Sequence, residues 1–151
     1  MSSYLDTSAI CRYYHSEPGS DKVAKLVEAL GANSLISWLG MLEAQSAFAM
    51  KVRTGEISKP DFLQLCKRFK TDIANRRFLV VRVLRRHFDR AEALIETCGL
   101  TQRIRSLDAI HLGVVLALAA RGELSTIVTA DTAQQAVAQQ EGLTVINPLT
   151  P

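Results

Sequence analysis

Short apolar runs alternate along the chain with longer stretches whose apolar residues recur every three or four positions, and Gly or Pro marks the boundaries. Ser3 to Leu5 is the first short run. It ends at Asp6-Thr7-Ser8, and a helix follows through Tyr14 until Pro18-Gly19 breaks it. Val23, Leu26, Val27 and Leu30 sit at helical spacing and predict a second helix, stopped by Gly31. Ser34 to Ser37 reads as the second strand. Trp38 to Arg53 reads as a helix burying Leu39, Leu42, Ser46, Ala49 and Met50, with Glu43 beside that face. Ser58-Lys59-Pro60-Asp61 starts another helix, with Pro in its first turn, running to about Ala74.

The later chain repeats the alternation. Phe78 to Val81 is β-rich, Leu84 to Cys98 is helical up to Gly99, and Ser106 to Arg121 is a strongly apolar helix. Ile127-Val128-Thr129 is a β-branched run without alternation, as expected of a strand covered on both faces. A helix over Asp131 to Gln140 and a strand over Leu143 to Ile146 complete the order β-α-α-β-α-α-β-α-α-β-α-β. Strands separated by helices predict an α/β fold with three layers, α/β/α, around a central parallel sheet of four to five strands. At 151 residues, the chain is read as a single domain spanning 1–151.

Composition changes this picture little. Apolar residues at 48% and charged residues at 22% describe a globular domain and exclude a disordered one. Aromatic residues are few, so the core is expected to be mostly Leu, Val, Ile and Ala. Cys11, Cys66 and Cys98 have no metal-binding or pairing spacing and read as reduced thiols. The start of the chain has no basic, apolar leader, and the longest apolar run, Gly113 to Ala120, is too short to span a bilayer. A soluble, cytoplasmic protein with no membrane association is expected.

Charge distribution matters more than the net of +3. Between Lys67 and Arg90, nine Lys and Arg face two acids, a local net of +7 that leaves −4 for the remainder. Lys67, Arg68, Lys70, Arg76, Arg77, Arg82, Arg85 and Arg86 are the candidate contacts to a phosphate backbone. A solvated helix face would account for the same strip.

Ligands of open parallel sheets bind beyond the carboxyl ends of the strands. Asp6 directly follows the first strand, and Asp131 follows the Ile127–Thr129 strand after one residue. Glu43 and Asp108 are charges set among apolar residues of two helices, a costly placement unless they are paired or bind metal. Singly, each acid has a structural explanation. Asp6 and Asp131 suit helix caps, Asp108 suits a first helical turn, and Glu43 suits a surface. His111, one turn from Asp108, reads better as a packed histidine at a pocket edge than as a ligand.

Together, Tyr4-Leu5-Asp6-Thr7-Ser8-Ala9, Glu43, Leu107-Asp108-Ala109-Ile110-His111-Leu112, Val128-Thr129-Ala130-Asp131 and Leu143 to Pro148 form one ordered pattern. It resembles the PIN-domain family, and the VapC-type toxin ribonucleases in particular, along nearly the whole chain. The resemblance implies an endoribonuclease dependent on Mg²⁺ or Mn²⁺. Asp6, Glu43, Asp108 and Asp131 would be its catalytic acids, with Asp6, Asp108 and Asp131 as metal ligands. Thr7, Ser8 and Thr129 would supply hydroxyls beside them. It also implies an RNA substrate, a small antitoxin as partner, and a homodimer. Trp38-Leu39-Gly40-Met41 departs from the small polar residues usual before the family's glutamate.

Two other readings compete. An aspartyl phosphotransferase of the haloacid-dehalogenase type expects a second Asp two residues after the first, where Ser8 stands. A degenerate PIN-like module would bind RNA or protein without catalysis, although all four acids are present.

Overall fold

A computed structural model describes every residue from Met1 to Pro151. The elements are β1 (Ser3–Leu5), α1 (Thr7–Tyr14), α2 (Ser20–Leu30), a 3₁₀ turn (Gly31–Asn33), β2 (Ser34–Ser37), α3 (Trp38–Arg53) and α4 (Lys59–Ala74). They continue with β3 (Leu79–Val81), α5 (Arg85–Cys98), α6 (Ser106–Ala119), β4 (Thr126–Val128), α7 (Thr132–Gln140) and β5 (Thr144–Ile146). The expected order holds, with strand and helix ends moved by a residue or two.

All pairings are parallel and the sheet order is β3-β2-β1-β4-β5. Pleating sends successive side chains to opposite faces. Tyr4, Leu35 and Ile127 enter the core beneath α5, α6 and α7, while Leu5, Ile36 and Val128 enter the one beneath α1 to α4. The sheet thus lies between two helical layers, which is why its strands are apolar at consecutive positions rather than alternate ones. The cores differ in kind. Tyr14, Phe48, Phe69 and Phe78 interlock edge to face in the α1–α4 layer, an aromatic cluster set among Leu5, Ile10, Val23, Val27 and Ile36.

Two features set helix placement. The α3 helix buries Gly40, Ala44, Phe48 and Lys51, not the expected face, and leaves Leu42 and Met50 exposed. Both faces of this helix carry apolar residues at helical spacing, and Phe48's fit among the aromatic rings decides between them. The α5 and α6 helices pack closely because residue 113 has no side chain: a Cβ there would lie 2.4 Å from the His87 carbonyl oxygen. No helix is long and apolar enough to cross a membrane.

Candidate active site

Asp6 ends β1 and begins α1. Its Oδ1 accepts from the Ala9 backbone N–H (2.9 Å) and the Ser8 hydroxyl (2.7 Å), and its Oδ2 accepts from the Thr129 hydroxyl (2.6 Å). Thr129, just past β4, in turn accepts from the Asp131 backbone N–H at 3.1 Å, and the Ala130 N–H donates to Ser8 Oγ at 2.9 Å. Two hydroxyls and three backbone amides thus stitch the carboxyl ends of the two central strands together around one carboxylate. Burial raises the Asp6 carboxyl above its usual range, against the lowering effect of the bonds from Thr129, Ser8 and Ala9.

Asp131 caps α7, accepting from the Gln134 N–H at 2.8 Å. Asp108 lies in the first turn of α6 and reaches back to accept from the Arg105 N–H at 3.2 Å. Each aspartate therefore performs the capping role its sequence position suggested, and each still opens on one cavity of about 820 Å³ that Glu43 also lines. Capping and cleft-lining coincide because the first turns of α1, α6 and α7 all begin at the carboxyl edge of the sheet or beside it.

Glu43 projects from the middle of α3. Its Oε1 accepts from the Thr7 hydroxyl (3.0 Å) and from His111 Nε2 (2.5 Å). Burial alone would raise the Glu43 carboxyl, but the hydrogen bond and charge of His111 and the bond from Thr7 prevail and hold it below the usual range. His111 is buried, as a packed histidine should be, and its Nδ1 lies 2.6 Å from the Tyr4 hydroxyl.

The donor set suits a hard cation. Glu43, Asp108 and Asp131 each keep one carboxylate oxygen without a protein partner, and the neighbouring hydroxyls are also oxygen donors. No three acidic, histidine or cysteine side chains lie close enough to enclose an ion as they stand. Mg²⁺ commonly takes only one or two carboxylates and completes its shell with water, so the oxygen chemistry fits it without a full protein cage.

The basic strip is divided by the fold. Lys67, Arg68 and Lys70 lie on α4, and Arg76 and Arg77 precede β3 at the amino edge of the sheet. Arg82, Arg85 and Arg86 follow β3 at the carboxyl edge, the side that carries the acids. None lines the cavity. Arg68 stacks over Tyr13 and Tyr14, Arg82 over Trp38, while Arg77 pairs with Asp72 and Arg85 with Asp89. The cations that do line it are Arg12, Lys51, Arg53 and Arg105, and Lys51 is paired with Glu17 and Glu56. The sequence held a signal for some of these. Ala47, Met50 and Lys51 continue the helical stripe of Glu43, and Arg12 lies one turn from Ser8.

The fold and cleft define a small parallel α/β domain with an acidic cavity at the carboxyl edge of its sheet. The chain belongs to the PIN domain family, whose family model matches residues 3–145. No curated protein sequence matches it. Among solved structures it is similar to the Mycobacterium tuberculosis toxin VapC20, which cleaves the sarcin–ricin loop (TM-score 0.69, 13% identity, 97% of this chain and 100% of that one). It is also similar to a chain of VapBC2 from Rickettsia felis, solved bound to a DNA fragment from their promoter (0.65, 19%, 97% and 98%). A third likeness is to FitAcB from Neisseria gonorrhoeae (0.67, 19%, 99% and 99%). At these identities the likeness is one of fold.

Proposed function

We propose that the chain is a metal-dependent endoribonuclease, the toxin of a toxin–antitoxin pair, working in the cytoplasm. The observation that carries this reading is the opening of Asp6, Glu43, Asp108 and Asp131, from four separate elements, onto one cavity. Asp6, Asp108 and Asp131 would hold Mg²⁺ or Mn²⁺. When bound, such an ion supplies Lewis acidity toward a phosphoryl oxygen and lowers the pKa of water. Glu43, kept ionised by His111 and Thr7, orients the attacking water through its free Oε2. Thr129 and Ser8 fix Asp6, and Thr7 fixes Glu43. Hydrolysis then leaves a 5′-phosphate and a 3′-hydroxyl. A 2′,3′-cyclic phosphate product would exclude this mechanism.

Lys67, Arg68, Lys70, Arg76, Arg77, Arg82, Arg85 and Arg86 are proposed to attract the RNA, with Arg82, Arg85 and Arg86 on the edge that carries the acids. Arg53 and Arg105 lie nearer still, at the cavity itself. A small antitoxin partner, supported by the similarity to a chain solved within VapBC2, and a homodimer complete the proposal. The test is to sequence RNA ends after expressing the native chain and Asp108→Asn side by side. New 5′-phosphate ends confined to the native chain support the reading, and identical profiles overturn it. Mn²⁺ affinity that is equal in the native chain and Asp6→Asn would favour a binding module instead.

A further inference from the structure

We propose that His111 is a positioning residue that holds the Glu43 carboxylate from a buried anchor formed by Tyr4 and Ser37. This rests on the reading of Glu43 as part of the working site. Each aspartate of the cleft is fixed by a backbone N–H at a helix start: Ala9 for Asp6, Arg105 for Asp108, Gln134 for Asp131. Glu43 has no such donor. It lies mid-helix, where backbone amides are used within the helix, and its longer side chain has more rotamers to lose. Only side chains hold it, namely Thr7 and His111.

His111 is suited to this because both ring nitrogens have a partner. A carboxylate oxygen only accepts, so Nε2 donates to Glu43, and Nδ1 meets the Tyr4 hydroxyl. Tyr4 and Ser37 are fully buried. The tyrosine hydroxyl donates to Ser37 Oγ at 2.8 Å, which also accepts from the Gly40 N–H at 3.1 Å. The anchor therefore joins β1, the end of β2 and the first turn of α3 to the imidazole on α6. Gly40 lies beside the ring, where a Cβ would make ordinary contact with Cε1 at 3.6 Å. Oε1 takes both bonds and Oε2 is left free toward the cavity.

Two measurements test the proposal. Long-range ¹⁵N–¹H NMR of the imidazole in the metal-free protein should show the His111 Nε2 resonance displaced in Glu43→Gln, and the Nδ1 resonance displaced in Tyr4→Phe. Hydrolysis of a mixed-sequence, fluorophore-quenched single-stranded RNA with Mn²⁺ should lose at least tenfold in kcat in His111→Asn, with KM within twofold. His111→Gln, which can still donate toward Glu43, should recover at least a third of the native rate. In a Glu43→Gln background, His111→Asn should cost nothing further. A His111→Asn loss that persists undiminished in that background, or an Nε2 resonance indifferent to Glu43→Gln, overturns the proposal. If His111→Asn does not fold, Tyr4→Phe keeps the imidazole, loses only the anchor and carries the same kinetic expectation. If the native chain cleaves no RNA, the ribonuclease reading falls, and the NMR pair alone decides whether His111 holds Glu43.

Discussion

Replacing Gly113 by Ala should destabilise the protein, although alanine is the better helix former. The substitution favours α6 by about 1 kcal/mol through propensity alone. Against this, the new Cβ would lie 2.4 Å from the His87 carbonyl oxygen and 3.4 Å from the Ala91 nitrogen. Ordinary contact needs about 1 Å more than the first of these distances. The obstacle is backbone, so no rotamer change relieves it, and α5 must move away from α6. Overpacking of this kind costs about 1–3 kcal/mol, and an unyielding carbonyl places it at the upper end. The net loss is about 2 kcal/mol, or a fall in Tm of about 4–8 °C for a chain of this size. Gly40→Ala is the internal control. There the nearest atom is the flexible end of Ile10 at 3.3 Å, so the propensity gain should survive and Tm should rise by about 2 °C. Thermal unfolding by circular dichroism of the three proteins, with chelator present, decides the matter. If Gly113→Ala melts at or above the native chain, close helix contact does not limit this position and the reasoning fails.

Other expectations follow from the charges. Burial lifts the Asp6 carboxyl above 3.8, so its contribution to stability is full below about pH 4 and is lost as pH rises through the native value. Asp6→Asn keeps the helix cap and escapes that loss, so its Tm relative to the native chain should climb between pH 4 and pH 7 in chelator. A flat difference contradicts this. Glu43 has the opposite sign. His111 and Thr7 outweigh burial and hold it below 4.5, so its contribution is present above that pH and is lost on acidification. Glu43→Gln should therefore lower Tm at pH 7 but not at pH 3, as paired melts will show. Lys51→Met removes the ammonium shared by Glu17 and Glu56, leaves Glu17 only its longer contacts to Arg12 and His15, and should cost about 1–2 kcal/mol, between exposed and fully buried pairs. Denaturant unfolding measures it, and a midpoint equal to the native one would show the pair contributes nothing.

Much of the cleft was legible because two of its acids are tied to strand ends. Asp6 and Asp131 follow strands that turn out to be neighbours, and the rule that ligands bind at the carboxyl edge of a parallel sheet locates both. The alternation of short apolar runs and helical stretches likewise yields the three layers without knowledge of contacts. Helix rotation was not legible where two faces carry similar apolar residues. In α3 the choice fell to Phe48, whose aromatic partners Tyr14 and Phe69 come from α1 and α4. The basic strip was legible as charge and not as place. One strand, β3, intervenes between Arg77 and Arg82 and carries the two to opposite edges of the sheet. The anchor on His111 was hidden because Tyr4, Ser37 and His111 lie far apart in the chain, and nothing local marks them as partners.

The bond between Thr129 and Asp6 spans 123 positions, so the cleft joins residues made far apart in time. During synthesis, the emerging polypeptide carries Asp6 and Glu43 long before β4 and the first turn of α7 exist. Until those late segments leave the ribosome, the carboxylate of Asp6 lacks its clasp and two strands of the sheet are missing. The cleft is therefore completed only once the segment that carries Thr129 and Asp131 has been made.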